Sequence, residues 1–333
     1  MRSPTLSELP SPPPSGRACT ELGRCAGWPW TEESPQLPDT MPDGSPWPRM
    51  SIVTPSYNQA QFIEETIRSV LQQGYHNLEY VVIDGGSTDA SVEIIRRHAA
   101  RLHYWASEPD RGQYDAINKG FAHTTGEIMA WINSDDKYCP WAFQVVASIF
   151  AALPQVEWLT TSTLLFWNRR GELVGAGAPP ALGYARTWFY RGWHLGNQPG
   201  FKGWIQQEST FWRRSLWKRA GGSVDDTLHY AADFELWARF WEHTDLVATT
   251  CPLAGFRHHP AQKTQRIEKY YSEAEQVLLK YRGRVMHNSL LLWLLEQLLR
   301  RTGRGGERFG SRLVRVDHDV TRDVWNYTYG HCI

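Results

Sequence analysis

From Met50 onward the apolar positions change period in regular blocks. Met50–Thr54 is a short apolar run of the kind that forms a buried strand. Phe62, Ile63, Ile67, Val70 and Leu71 recur at helical spacing, and Gly74 ends that helix. Leu78–Asp84 reads as a second strand. Ser87 or Thr88 can cap the next helix, whose apolar face carries Val92, Ile94 and Ile95. Leu102–Ala106, Glu127–Asn133 and Glu157–Phe166 read as further strands. Tyr114–Ala122, 141–152, Ala231–His243 and Ile267–Tyr281 read as helices. Strand-helix alternation predicts an α/β domain with a mainly parallel sheet and right-handed crossovers. The Gly-, Pro- and Trp-rich stretch 167–206 reads as a long functional loop.

The two ends depart from this pattern. Residues 1–48 hold eleven of the twenty Pro and are expected to be a disordered segment. Residues 49–265 are expected to form the domain, and 266–333 a helical, basic C-terminal extension. Within it, Leu290–Leu295 with Leu298 and Leu299 is too short to span a bilayer. Between Lys280 and Val316 nine Lys/Arg face two Glu. Two readings stand: a helix packed on the core, or peripheral contact with an anionic membrane surface through 284–316.

Composition narrows the classes. An apolar fraction of 41% supports a real core, and a formal net charge of zero gives no argument for nucleic acid. Five scattered Cys without zinc-ligand spacing read as reduced thiols. With no apolar leader, the expectation is a cytoplasmic protein, with peripheral attachment to the inner membrane face as the accompanying idea. Seventeen Trp is high for this length; surplus Trp such as Trp193, Trp204 or Trp212 could stack on flat faces, including those of sugar rings, with core filler as the competing reading for each.

Chemistry concentrates at the strand ends, which in open α/β sheets line one ligand-binding edge. Asp84-Gly85-Gly86-Ser87-Thr88-Asp89 follows the second strand, and its glycines let a ligand approach the backbone. Asp84 can accept hydrogen bonds from a base or ribose. In the polar link from Glu108 to Gly120, Arg111 and Lys119 could neutralise phosphate and Asp115 could hold a sugar hydroxyl. Asn133-Ser134-Asp135-Asp136 ends a strand in adjacent carboxylates. Their mutual repulsion would be relieved by a divalent cation, Mn²⁺ or Mg²⁺, completed by water and phosphate oxygens. The competing reading is a helix N-cap ahead of Pro140. Asp233 and Glu235 lie near a helix start, where an acid also suits the macrodipole. Gln207, Glu208, His258 and Lys263 add polar groups at further loop or strand ends.

Together these blocks resemble the family-2 inverting glycosyltransferases of the GT-A fold, from Met50 to about Lys263. The matching blocks are Thr54-Pro55-Ser56-Tyr57-Asn58, Val82 to Asp89, Asp110 to Gly120, Asn133 to Asp136, and Asp233 to Trp237. The resemblance implies a single GT-A domain that takes a nucleoside-diphosphate sugar donor and a glycan or lipid-linked acceptor. It implies nucleotide-sugar contacts from Thr54, Pro55, Tyr57, Asn58, Asp84, Gly85, Ser87, Asp110, Arg111, Asp115, Asn133 and Ser134. Asp135 and Asp136 would hold the metal, Asp233 would be the catalytic base, and Gln207, Glu208, His258 and Lys263 would face the acceptor or diphosphate. Three positions depart from the family pattern: Asn133 replaces the first Asp of Asp-X-Asp, Ile117 stands where many members have Arg, and Ala232 where many have Glu.

Three rivals compete. A nucleotidyltransferase needs a Gly-rich basic loop after the first strand, which Ser56 to Ala60 lacks. A dehydrogenase needs Gly-X-Gly-X-X-Gly there. A non-catalytic nucleotide-sugar or glycan-binding protein predicts loss of Asp135 or Asp233, and both are present.

Overall fold

The computed structural model describes residues 26–177, 183–281 and 311–332. Its main sheet has nine strands, numbered in chain order. Met50–Ser56 (β1), Leu78–Asp84 (β2), Tyr104–Ser107 (β3) and Ile128–Trp131 (β4) form one parallel half, in the order β3-β2-β1-β4. Lys137–Tyr138 is β5, Trp158–Thr161 β6, Leu165–Trp167 β7 and Leu173–Ala176 β8. Phe211–Arg213 (β9) pairs antiparallel with both β4 and β6. Beyond β6 lie Val247–Thr249 (β10), Ser311–Asp319 (β12) and Val324–Cys332 (β13). Ala254–Arg257 (β11) joins β5, β7 and β8 in a second, four-stranded sheet.

Period-two alternation explains the two cores. In β1, Ile52 packs on one side of the sheet and Val53 on the other; in β4, Ala130 and Trp131 divide in the same way. Helices cover both faces, so every residue of β1 is buried. The helices are Ile63–Leu71 (α1), Ser91–His98 (α2), Gln113–Ala122 (α3), Ala142–Ala152 (α4), Arg186–Tyr190 (α5), Arg214–Arg219 (α6), Ala232–Phe240 (α7) and a last one, α8, described over 267–281. α3 lies close on β1: a Cβ on Gly120 would sit 2.4 Å from Val53 Cγ1.

Four expectations change. Residues 26–48 are not a loose tail but a packed strap. Trp28 is buried and its indole N–H donates to the Tyr138 carbonyl (2.9 Å), Leu37 N–H donates to Gly74 O, and Arg68 stacks over Trp30. Residues 1–25 lie outside the described residues. The expected strand Glu157–Phe166 is two strands in different sheets, β6 and β7, because the chain turns at Ser162 and Thr163. The stretch 167–206 is not one long loop: it holds β8 and α5. The helical C-terminal extension gives way to strands over 311–332. There Leu313, Val314 and Val316 bury against the main sheet, which therefore continues past residue 265. The Leu290–Leu299 run lies outside the described residues. Among the described residues no helix is long and apolar enough to cross a membrane.

Gly74 fixes the strap to the domain. Its φ is +63°, and a Cβ there would sit 2.3 Å from the Pro35 carbonyl oxygen. Gly74→Ala is therefore expected to cost on the order of 1–3 kcal/mol in urea unfolding, from left-handed strain plus the backbone clash. A loss within error of zero would show that the strap contributes nothing.

Candidate functional site

The carboxyl ends of β1, β2, β3 and β4 face one edge, and the loops that leave them build the first wall. Asp84 ends β2 fully buried. Its carboxylate accepts from Ser87 N–H (2.8 Å), Ser87 Oγ–H (2.5 Å) and Ser107 Oγ–H (2.8 Å). Ser87 Oγ in turn accepts from Asn58 N–H, and Asn58 Oδ1 accepts from Thr88 N–H. Asn58 adopts φ +52°, a conformation that Asn tolerates better than most residues. The two turns thus brace each other and hold Tyr57 out into solvent, 60% exposed. Pro55 is buried within β1. Thr54 turns inward instead, its hydroxyl 3.0 Å from Tyr80 Oη, so its side chain serves the core. Gly85 lets Asp110 close over the strand end: a Cβ there would sit 2.6 Å from Asp110 Oδ2.

Arg111 is not a free cation. It pairs with Asp115 (2.8 Å) and Asp226 (2.6 Å), and Lys119 also approaches Asp115 (3.3 Å). Both cations, expected to meet phosphate, are engaged with acids here. Asn133 Oδ1 accepts from Gln113 Nε2–H (2.6 Å), and the Ser134 carbonyl accepts from Thr66.

The two adjacent acids part company. Asp136 is buried, and its Oδ1 accepts from Arg257 N–H (2.8 Å). Burial, with Asp135 and Glu208 nearby, pushes its carboxyl well above the usual range. Asp136 is thus tied to the backbone of β11, while Asp135 is the more accessible of the two. Asp135 is partly exposed, with Oδ2 2.9 Å from His259 Nε2. His258, singled out from the sequence, is exposed and stacks on Phe166 instead. Neighbouring residues leaving a strand face opposite ways, so Arg257 and His259 point in while His258 points out. That parity was the available signal.

Beneath this loop lies a buried ion triad. Glu65 accepts from Lys137 Nζ (2.7 Å) and Arg257 Nη2 (2.7 Å), and Arg257 Nε–H donates to the Asp135 carbonyl. Burial alone would raise the Glu65 carboxyl, but Lys137 and Arg257 outweigh it and hold it below its ordinary value.

Asp135 with His259 fits a hard divalent ion that takes one or two protein ligands and fills its shell with water and phosphate oxygens. Among the described residues no three His, Cys, Asp or Glu side chains converge into a closed cage.

The second wall comes from the short 3-10 turn Gln207–Ser209 and α7. Asp233 sits in the first turn of α7, and its Oδ1 is buried without a protein hydrogen-bond partner. Burial pushes its carboxyl up to about 7, a trend that nearby Glu273 reinforces and Lys263 opposes. Glu208 is buried with an unpartnered Oε1, and burial, with Asp135 and Asp233 close by, pushes it up to about 8. Gln207 Nε2–H donates to the Trp131 carbonyl, tying its amide to β4. Lys263 Nζ donates to His229 O (3.1 Å) and lies over the Tyr114 ring. Of these groups Lys263 lines a cleft of about 190 Å³, together with Gly112–Asp115 and His229–Tyr230. Of the candidate Trp, Trp212 is fully buried and unavailable for stacking; Trp204 is half-buried against Tyr271.

Residues 51–201 match the family model described as glycosyl transferase family 2. An uncharacterized glycosyltransferase of Mycobacterium tuberculosis is 39% identical over 92 residues, covering 27% of this chain and 35% of that protein. TuaG of Bacillus subtilis, a glycosyltransferase whose name assigns it to teichuronic acid biosynthesis, is 35% identical over 94 residues, 27% of this chain and 37% of its own. The matched stretch thus spans about a third of the length of these curated relatives. The crystal structure of S. aureus TarS in complex with UDP is 17% identical, with a TM-score of 0.49 over 69% of this chain and 64% of that one. The family match ends before Glu208, Asp233 and His259. Over residues 51–201, somewhat less than half of its length, the chain is similar to glycosyltransferase family 2.

Proposed function

We propose that this protein transfers a sugar, with inversion, from a nucleoside-diphosphate sugar to an acceptor hydroxyl on a glycan or lipid-linked saccharide. The observation that carries the reading is Asp233: a carboxyl at a helix start, with an unpartnered buried oxygen and a proton affinity tuned close to neutrality. A general base works best with a pKa near the working pH. An alcohol is far too weak an acid to ionise first, so Asp233 takes its proton as the new bond to the anomeric carbon forms. The bond from that carbon to the diphosphate oxygen breaks on the opposite side, and nucleoside diphosphate leaves. One displacement inverts the centre.

Asp84, Asp110 and the Asn58–Ser87 turn pair shape the nucleoside end, and Tyr57 offers an exposed ring for the base to stack on. Asp135 and His259 would hold Mn²⁺ or Mg²⁺, which when bound supplies Lewis-acid stabilisation of the departing diphosphate. Glu208, held protonated below its raised pKa, offers a hydrogen-bond donor between Asp135 and Asp233.

The test is a panel of nucleoside-diphosphate sugars incubated with the whole chain and Mn²⁺. Release of nucleoside diphosphate from one donor, abolished by chelator and restored by Mn²⁺, is expected. Binding of a donor without turnover under any acceptor would favour a recognition module, and binding of none would remove the nucleotide-sugar reading.

A further inference from the structure

We propose that Glu273 is the positioning residue for Asp233, because its carboxylate gathers three successive backbone N–H groups of the turn that leads into α7. This rests on the reading of Asp233 as base. Glu273 Oε2 accepts from Tyr230 N–H (2.7 Å) and Ala231 N–H (2.9 Å), and His229 N–H reaches both oxygens (3.1 and 3.2 Å). The N-cap residue of α7 is Ala231, which has no side chain able to cap. The start of α7 is thus held from another helix, more than forty residues later in the chain.

α8 is a firm support for this grip. Ala274, Val277 and Leu278 are buried in the core, and Tyr281 Oη–H donates to Glu235 Oε1 further along α7. Two ties one helix apart fix both the translation and the rotation of α7. Asp233 sits two residues past the gripped turn, so its carboxylate inherits that position.

The groups facing Asp233 are Tyr114 from α3, Glu208 from the turn before β9, Lys263 from the turn after β11, and Tyr270 with Glu273 from α8. Among them the Glu273 charge raises the proton affinity of Asp233 and the Lys263 charge lowers it. Glu273 therefore acts twice, on the place of the base and on its strength.

The test is ¹³C-carboxyl titration of the full chain, the Asp233 signal being assigned by its loss in Asp233→Asn, alongside turnover of the donor found by the panel. In Glu273→Gln the Asp233 titration should move to lower pH by about half a unit or more, and kcat should fall roughly tenfold with acceptor KM within about twofold. Glu273→Asp keeps the charge on a shorter arm. It should leave the titration in place while lowering kcat, and it decides the matter if the Gln variant does not fold. An unmoved titration with unchanged kcat and only a lower melting temperature would overturn the proposal and leave a plain helix cap. Full turnover in Asp233→Asn would instead remove Asp233 as base, while the ¹³C shift would still report on Glu273.

Discussion

Asp233→Asn is expected to reduce sugar transfer by about 10²–10⁴-fold at pH 8, the usual contribution of a positioned general base. The amide keeps the size of the side chain and loses the ability to accept the proton. For the wild-type protein the rate should rise about tenfold per pH unit up to about 7 and then level, since Asp233 must be ionised to act. The variant should show only a low rate without that limb. The stability effect has the opposite sign. A carboxyl raised from 3.8 to about 7 binds its proton more tightly in the folded than in the unfolded chain. Stability from this group is full below about pH 4 and is lost as pH rises through about 7. Removing the acid should therefore raise the melting temperature at pH 8. Loss of activity with a gain in stability separates a catalytic role from a structural one; more than a third of wild-type turnover in the variant would contradict the assignment.

Glu65→Ala should be the most damaging substitution to the fold. It leaves two cations, Lys137 and Arg257, buried without their shared carboxylate, and breaking a buried pair in this way costs about 3–5 kcal/mol. Arg257 also binds the Asp135 carbonyl and, through its own N–H, the Asp136 carboxyl. Loosening it should weaken Mn²⁺ dependence in whatever fraction stays folded. Chemical unfolding of the two proteins measures the first effect and Mn²⁺ titration of donor turnover the second. A loss below about 1 kcal/mol would mean that solvent reaches the triad.

The parallel half of the sheet was legible because its signals are local. β1, α1, β2 and α3 each carry a complete period within a dozen residues, and the polar strand ends mark one edge by topology alone. What escaped depends on partners distant in sequence. Glu65 looks like an ordinary helix acid until Lys137 and Arg257 arrive, although its place on the buried face with Phe62, Thr66 and Ser69 was a visible hint. Parity separates His258 from His259, but which of the two points inward depends on the face of β11 that meets the core. Asp135 and Asp136 pose the same problem at the end of β4. In 311–332 the alternation of Val314, Val316, Trp325 and Tyr327 was there to read, but a neighbouring leucine run and basic residues suggested a helix. The strap 26–48 shows the opposite failure. Proline-rich composition argues against a core of its own, yet such a segment can borrow one by lying on a finished domain.

The place of β9 sets a timetable for synthesis. β4 is emitted as the last strand of the parallel half, and its free side is covered only by Phe211–Arg213. From Trp131 to Phe211 about 80 residues must leave the ribosome, which at roughly 5–20 residues per second takes some 4–16 seconds. Through that interval Ile128–Trp131 offers a bare apolar edge, the kind of template on which nascent chains aggregate. Gln207 and Glu208 arrive in the same stretch that closes it. A cell that makes this protein must shelter one strand for those seconds, and the exposure ends before His229, Tyr230 and Lys263, which line the cleft, have been made.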